Sequence, residues 1–165
     1  MSTTFEEVSN RCLQKIERDR DFFEYYNVSV EETQAIIEKQ LIGYLKDAID
    51  LFVLRCDTDL EINLYDYDED NQCFNSDLTN NEVGIIASLM YEVHFARDEA
   101  RLRSMAMRMS PTDLNRWSPA NERASFMAML DNIRRENELM VAKYCSTDRS
   151  TGKRLTIHPD DYNYD

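Results

Sequence analysis

Three glycines and three prolines in 165 residues leave too few turn-formers for an all-β fold, which needs a tight turn every ten residues or so. No apolar run approaches the ~20 residues of a membrane span. Met1-Ser2-Thr3-Thr4 leads straight into polar sequence, so neither a signal peptide nor a membrane partner is expected. The four cysteines, Cys12, Cys56, Cys73 and Cys145, are far apart and include no CxxC pair. They are expected to be buried reduced thiols in a cytosolic product. Only two histidines occur, and His94 and His158 lack the spacing of zinc ligands. The chain has no phosphate loop, no dinucleotide fingerprint and no Ser–His–Asp order, so the expectation is a non-enzyme without a cofactor.

What is present is charge, unevenly placed. The net charge of -13 divides into 7 Lys/Arg against 21 Asp/Glu over residues 1–96, and 12 against 11 over residues 97–165. An acidic half of this size argues against wrapping DNA, which needs clustered cations. It suits either a solvated face or head-to-tail packing of copies, the acidic half of one against the arginine-rich half of the next. At 42% hydrophobic and 31% charged residues, the composition is that of a folded, soluble single domain.

Helical periodicity dominates. A first helix from Thr3 or Thr4 to about Asp19 places Phe5, Val8, Cys12 and Ile16 on one face. Phe22–Asn27 reads as an aromatic joint. Ser29-x-x-Glu32 is a capping box opening a helix to about Arg55, with Ile37, Leu41, Tyr44, Leu45, Ala48, Ile49, Phe52 and Val53 inward and Gly43 marking a close helix crossing. Residues 57–78 look inserted, a long loop with weak alternation at Leu60, Ile62 and Leu64 that forms at most a short hairpin. Thr79-x-x-Glu82 is a second capping box, and Val83, Ile86, Met90 and Val93 mark the face of a buried helix continuing, straight or kinked, toward Met109. Met105, Met107 and Met109 fit no single stripe and suit irregular packing gaps, between subunits included. Ser110-Pro111 and Ser118-Pro119 each read as Ser at the N-cap with Pro at the first helical position. The last helix runs from Pro119 to about Tyr144. Its polar middle, Arg134–Glu138, needs partners outside the domain or stays solvated. Beyond residue 145 the pattern stops, and residues 146–165 read as an extended arm on a 1–145 helical domain.

Read in order, Phe74-Asn75-Ser76-Asp77-Leu78-Thr79, the Ile-Leu-Met-rich helix Glu82–Met90, Trp117-Ser118-Pro119-Ala120-Asn121 and the charged helix ending at Tyr144 resemble the head–tail connector proteins of tailed bacteriophages, also called adaptor, neck or head-completion proteins. The likeness spans roughly residues 30–150. It departs from that pattern at His94-Phe95-Ala96-Arg97, where relatives carry a Trp and a helix-breaking Pro, and at Pro119. The resemblance implies an all-α bundle of about four helices. It also implies a homo-oligomeric, dodecameric ring on the portal protein in the virion neck, made in the host bacterial cytoplasm. Such a ring lengthens the DNA channel, through which DNA passes without sequence-specific binding, and receives the next neck, stopper or tail component. Arg97, Arg101, Arg103, Arg108, Arg134 and Arg135, together with Trp117, are then candidates for subunit or portal contacts. Lys153, Arg154, Leu155 and Ile157 are candidates for docking onto a neighbouring ring as an added strand.

Two other patterns carry chemistry. Asp66, Asp68, Asp70 and a closing Asp77 have the spacing of a calcium loop. However, Asn71 stands where the sharp turn wants glycine, Asp77 is a methylene short, and no helix enters, so an exposed acidic loop is preferred. Glu92, His94, Asp98 and Glu99 raise an acid–base cluster, for which a surface ion pair of His94 with Asp98, four residues apart, is the simpler reading. The alternatives to a connector are a small acidic helical regulator that binds another protein, or a calcium-binding module at Asp66–Asp77.

Overall fold

A computed structural model describes residues 2–16, 28–56 and 60–155. The fold is all-α. Among the described residues five helices follow one another, with one two-stranded hairpin between the second and third: α1 (Phe5–Ile16), α2 (Val30–Arg55), β1 (Tyr67–Asp68), β2 (Cys73–Phe74), α3 (Asn80–Arg108), α4 (Pro111–Trp117) and α5 (Ala120–Cys145). The aromatic joint at Phe22–Asn27 lies outside the described residues.

Helix α3 is the axle. Its 29 residues span roughly 44 Å at 1.5 Å per residue. Thr79 Oγ1 accepts from the Glu82 N–H, and the Glu82 carboxylate accepts from the Thr79 N–H, so the capping box is complete. From Val83 to Phe95 the helix is buried on nearly every side, because α1, α2 and α5 surround it. Helix α2 starts with the Ser29–Glu32 box and buries Leu41, Tyr44, Leu45, Ala48, Ile49 and Phe52 against it. Helix α1 adds Phe5, Val8, Cys12 and Ile16. These stripes are the ones their spacing predicts. Gly43 marks no close helix crossing: the Arg97 guanidinium covers it, 3.5 Å from where a Cβ would stand.

Residues 60–78 belong to the core. Ile62, Leu64, Phe74 and Leu78 are buried in it, and Phe5 meets both Tyr67 and Phe74 edge-on. The weak alternation at Leu60–Leu64 forms no strand. The hairpin comes later, pairing Tyr67 with Phe74 and Asp68 with Cys73, and Gln72 takes φ 50° at its turn. The chain start is stitched to it. The Phe74 N–H donates to the Thr3 carbonyl, the Leu78 N–H to Thr3 Oγ1 and the Phe5 N–H to the Gln72 carbonyl. Thr4 then accepts from the Glu7 N–H to start α1.

Helix α3 continues unbroken to Arg108, and Ser110 caps α4 by accepting from the Asp113 N–H. The second Ser-Pro pair sits one residue out of the expected register. Ser118 ends α4, its N–H donating to the Leu114 carbonyl, and Pro119 takes the N-cap position of α5 with no side-chain cap. Arg123 holds this joint by donating to the Ser118 carbonyl and to Asn115.

Two expectations are overturned near the C-terminal end. Cys56 and Cys145 form a disulfide joining the end of α2 to the end of α5, so these thiols are not reduced; Cys12 and Cys73 are free. Proximity at two helix ends decides this pairing, and linear spacing could not show it. The first ten residues of the expected arm are a closed turn and not extended. Thr147 bridges to Arg154, the Leu155 N–H donates to the Ser146 carbonyl, and Gly152 supplies φ 65°. Asp148 gathers the N–H and hydroxyl of Thr151 and the hydroxyl of Ser150, and those bonds pull its carboxyl down to about 2. No helix among the described residues is long and apolar enough to cross a membrane.

Candidate functional site

Three carboxylates face inward from α3. Glu82, Glu92 and Glu99 are 0, 3 and 5% exposed, and a buried carboxylate must be paired or give up its charge. Each is paired. Glu82 accepts from the Tyr144 hydroxyl at 2.5 Å, from Arg149 Nε at 2.6 Å and from its own N-cap. Glu92 takes a two-pronged contact from Arg55 at 2.6 and 2.8 Å and a further bond from Asn137 at 2.8 Å. Glu99 is bound by Arg134 at 2.6 Å and by Arg103 one turn on.

Burial pushes each of these carboxyls up, but the donors around it outweigh burial, and all three sit below the usual carboxylate range. Tyr144 is raised, by burial and then by the anion it donates to. Groups held this way are fully ionised acceptors, poor proton donors or bases at neutral pH. Chemically, the row can fix helix register.

The row corrects the expectation for α5 in part. Arg134 and Asn137 reach Glu99 and Glu92, so the inward side of that polar middle is satisfied inside its own chain, while Arg135, Glu136 and Glu138 are exposed, as a solvated face would have them. It also rearranges the expected acid–base cluster. His94 is buried, with Nδ1 3.4 Å from the Tyr44 hydroxyl, and Asp98 lies 3.7 Å from Arg101. The two share no surface ion pair.

The hairpin carboxylates serve the hairpin. Asp68 accepts from the N–H groups of Asp70 and Asn71 and from the Asn71 side chain, and Asp66 accepts from Asn75. Asp77 presents its backbone carbonyl to Arg149. Asp66, Asp68, Asp70 and Asp77 are not gathered into one ligand shell. Among the described residues no group of three or more His, Cys, Asp or Glu side chains is placed to hold a metal ion.

The contact candidates fall in two places. Arg101, Arg108 and Trp117 are exposed on a projection made by the last turns of α3, by α4 and by the start of α5. Leu114 is buried there, with Phe126 against Phe95 behind it, while Met105, Met107 and Met129 face outward. Lys153, Arg154 and Leu155 are exposed on the C-terminal turn; Ile157 lies outside the described residues. Arg149, absent from the sequence-based candidates, is what ties that turn to Glu82.

Sequence spacing held a signal for the buried row. Glu92 and Glu99 are seven apart on one helix face, and Glu92 falls within the mostly apolar stretch Val83–Phe95, where a carboxylate has to find a cation.

No protein-family profile, curated protein or solved structure matches this chain.

Proposed function

We propose that the chain is a head–tail connector, a structural virion protein whose whole activity is binding. Copies form a ring under the portal protein, dodecameric by resemblance. The ring lengthens the DNA channel and offers a platform to the next neck or tail component. One observation carries the proposal: three pieces of the connector resemblance, the Phe74–Glu82 box, the apolar start of α3 and the late Tyr144, meet in one physical unit here. Phe74 and Leu78 of the Phe-Asn-x-Asp-Leu-Thr-x-x-Glu box enter the core, Thr79 caps α3, and Glu82, which closes the box, binds the late Tyr144 more than sixty residues away. Chance helix-capping grammar gives no reason for that last contact.

In this reading the acidic body, twelve carboxylates against three bases between residues 31 and 70, borders the channel and repels phosphates so that DNA slides without sticking. The arginine-bearing projection and the C-terminal turn serve subunit and portal contacts. Immunogold labelling of intact virions tests it: label at the neck is expected, and virions without the chain would overturn it.

A monomeric acidic regulator is the second reading, favoured by the internal pairing of Arg134 and Asn137, which leaves these two residues of α5 no need of an outside partner. Light scattering that gives a monomer, with no affinity for purified portal, is the result it requires.

A further inference from the structure

Between α2 and α3 runs an apolar groove of about 400 Å³, floored by Leu51, Val93, Ala96 and Ala100 and edged by Asp47 and Asp50. Leu54 stands at its side, 78% exposed. Arg97 also lines it but is bound to Asp47 at 2.8 Å and lies over the Tyr44 ring, so its charge is answered within the groove wall. The groove-side stripe of α3, Val93–Ala96–Ala100, continues by helical geometry to Met107. There the side chain is 82% exposed. Residues 101–117 carry Arg101, Arg103, Arg108 and Arg116 against Asp113, although Arg103 is bound to Glu99 and Arg101 lies 3.7 Å from Asp98 one turn back.

One chain therefore carries an exposed flexible thioether in an arginine-rich stretch and a shallow, open apolar groove whose edge keeps a net negative charge through Asp50, a complementary pair that cannot meet within one molecule because both lie along the same helix. We infer that the Met107 end of α3 seats in the α2–α3 groove of a second copy, head to tail, Met107 against Leu54 and Ala100, with Arg108 toward the neighbour's Asp50. The contact is heterologous, so each copy donates one end and receives another, and rotation between copies closes a ring. Methionine suits the role because its unbranched side chain adapts to an irregular slot. This deepens the connector reading and rests on it for its setting at the neck.

Two exposed-site variants, Leu54→Glu and Met107→Glu, test the contact by sedimentation velocity on the full chain. Far-UV circular dichroism and urea midpoints matching wild type confirm their folding, and Leu54→Gln with Met107→Gln repeats the test without added charge. Wild type is expected to associate beyond the dimer, less so as salt is raised. Each Glu variant alone is expected to lose at least about tenfold in affinity and run as a monomer. Mixed in equal amounts, they form a heterodimer that grows no further, since one intact end and one intact groove remain. A mixture that stays monomeric, a variant that assembles like wild type, or a wild type monomeric at every concentration each overturns the contact. Virions that take up both variants at the wild-type level would also overturn it, yet leave the connector reading standing; virions lacking the wild-type chain would sink that reading instead.

Discussion

The hydroxyl of Tyr144 donates to the carboxylate of Glu82 at 2.5 Å, joining the last turn of α5 to the first turn of α3 beneath the Cys56–Cys145 disulfide. Phe52 packs edge-on against the same tyrosine ring, so three helices converge on one side chain. Tyr144→Phe keeps that packing and removes only the donor. It is expected to cost about 1–2 kcal/mol, while Glu82→Ala, which also removes the carboxylate half of the capping box and strands Arg149, costs about 3–5 kcal/mol. Urea midpoints with unchanged slopes measure both, and a Tyr144→Phe protein as stable as wild type would remove this bond from the account.

The second buried carboxylate makes a separate prediction. Arg55→Met leaves Glu92 with Asn137 and the distant Arg134 as partners in a buried site. A loss of about 3–5 kcal/mol is expected, because an uncompensated buried charge is dearer than the pair it replaces. Arg55→Met with Glu92→Leu recovers most of that loss. A double variant no better than the single one would place the cost elsewhere.

Acid reveals the same row. The folded carboxyls of Glu82, Glu92 and Glu99 lie below their ordinary value of 4.5. Their contribution is therefore fully present above that value and is lost as the pH falls below it, through the depressed folded values. Stability measured in urea is expected to be flat from pH 7 to about 5 and to fall steeply below pH 4.5. A curve that is level down to pH 3 would contradict the pairing.

The cysteines differ sharply in access. Burial pushes the Cys12 thiol up to about 12, whereas Cys73 is half-buried on the hairpin edge. A thiol reagent is expected to label Cys73 in the native protein and Cys12 only on unfolding. The disulfide closes a loop of 89 residues, and Cys145→Ser should cost about 2–4 kcal/mol. Mass spectrometry that finds four native thiols would refute the bond.

The helices were legible because amphipathic spacing and two Ser/Thr-x-x-Glu boxes are local signals that tertiary packing here reinforces. The stripes on α1 and α2 and both boxes appear as their spacing implies. What escaped was non-local. Nothing near Glu82 in sequence points to Tyr144 or Arg149, and nothing near Cys56 points to Cys145. Residues 60–78 looked inserted because their apolar residues follow neither helical nor strand period. They enter the core through turns, which periodicity does not register. The inward side of the polar middle of α5 was misjudged for a related reason: Arg134 and Asn137 are polar residues on an inward face, and pattern alone assigns polar residues to solvent. For the contact candidates, the chain showed which residues are charged or large but not that Met107, near the end of α3, stands 82% exposed.

Cryo-electron microscopy of virion necks, the setting proposed for this chain, tests the central claim most directly. The account predicts a ring of twelve copies seated on the portal, acidic residues of the α2 and hairpin body toward the channel and α3 ends engaged with neighbouring subunits. A neck in which no density fits this fold, beside a purified chain that stays monomeric, would contradict it.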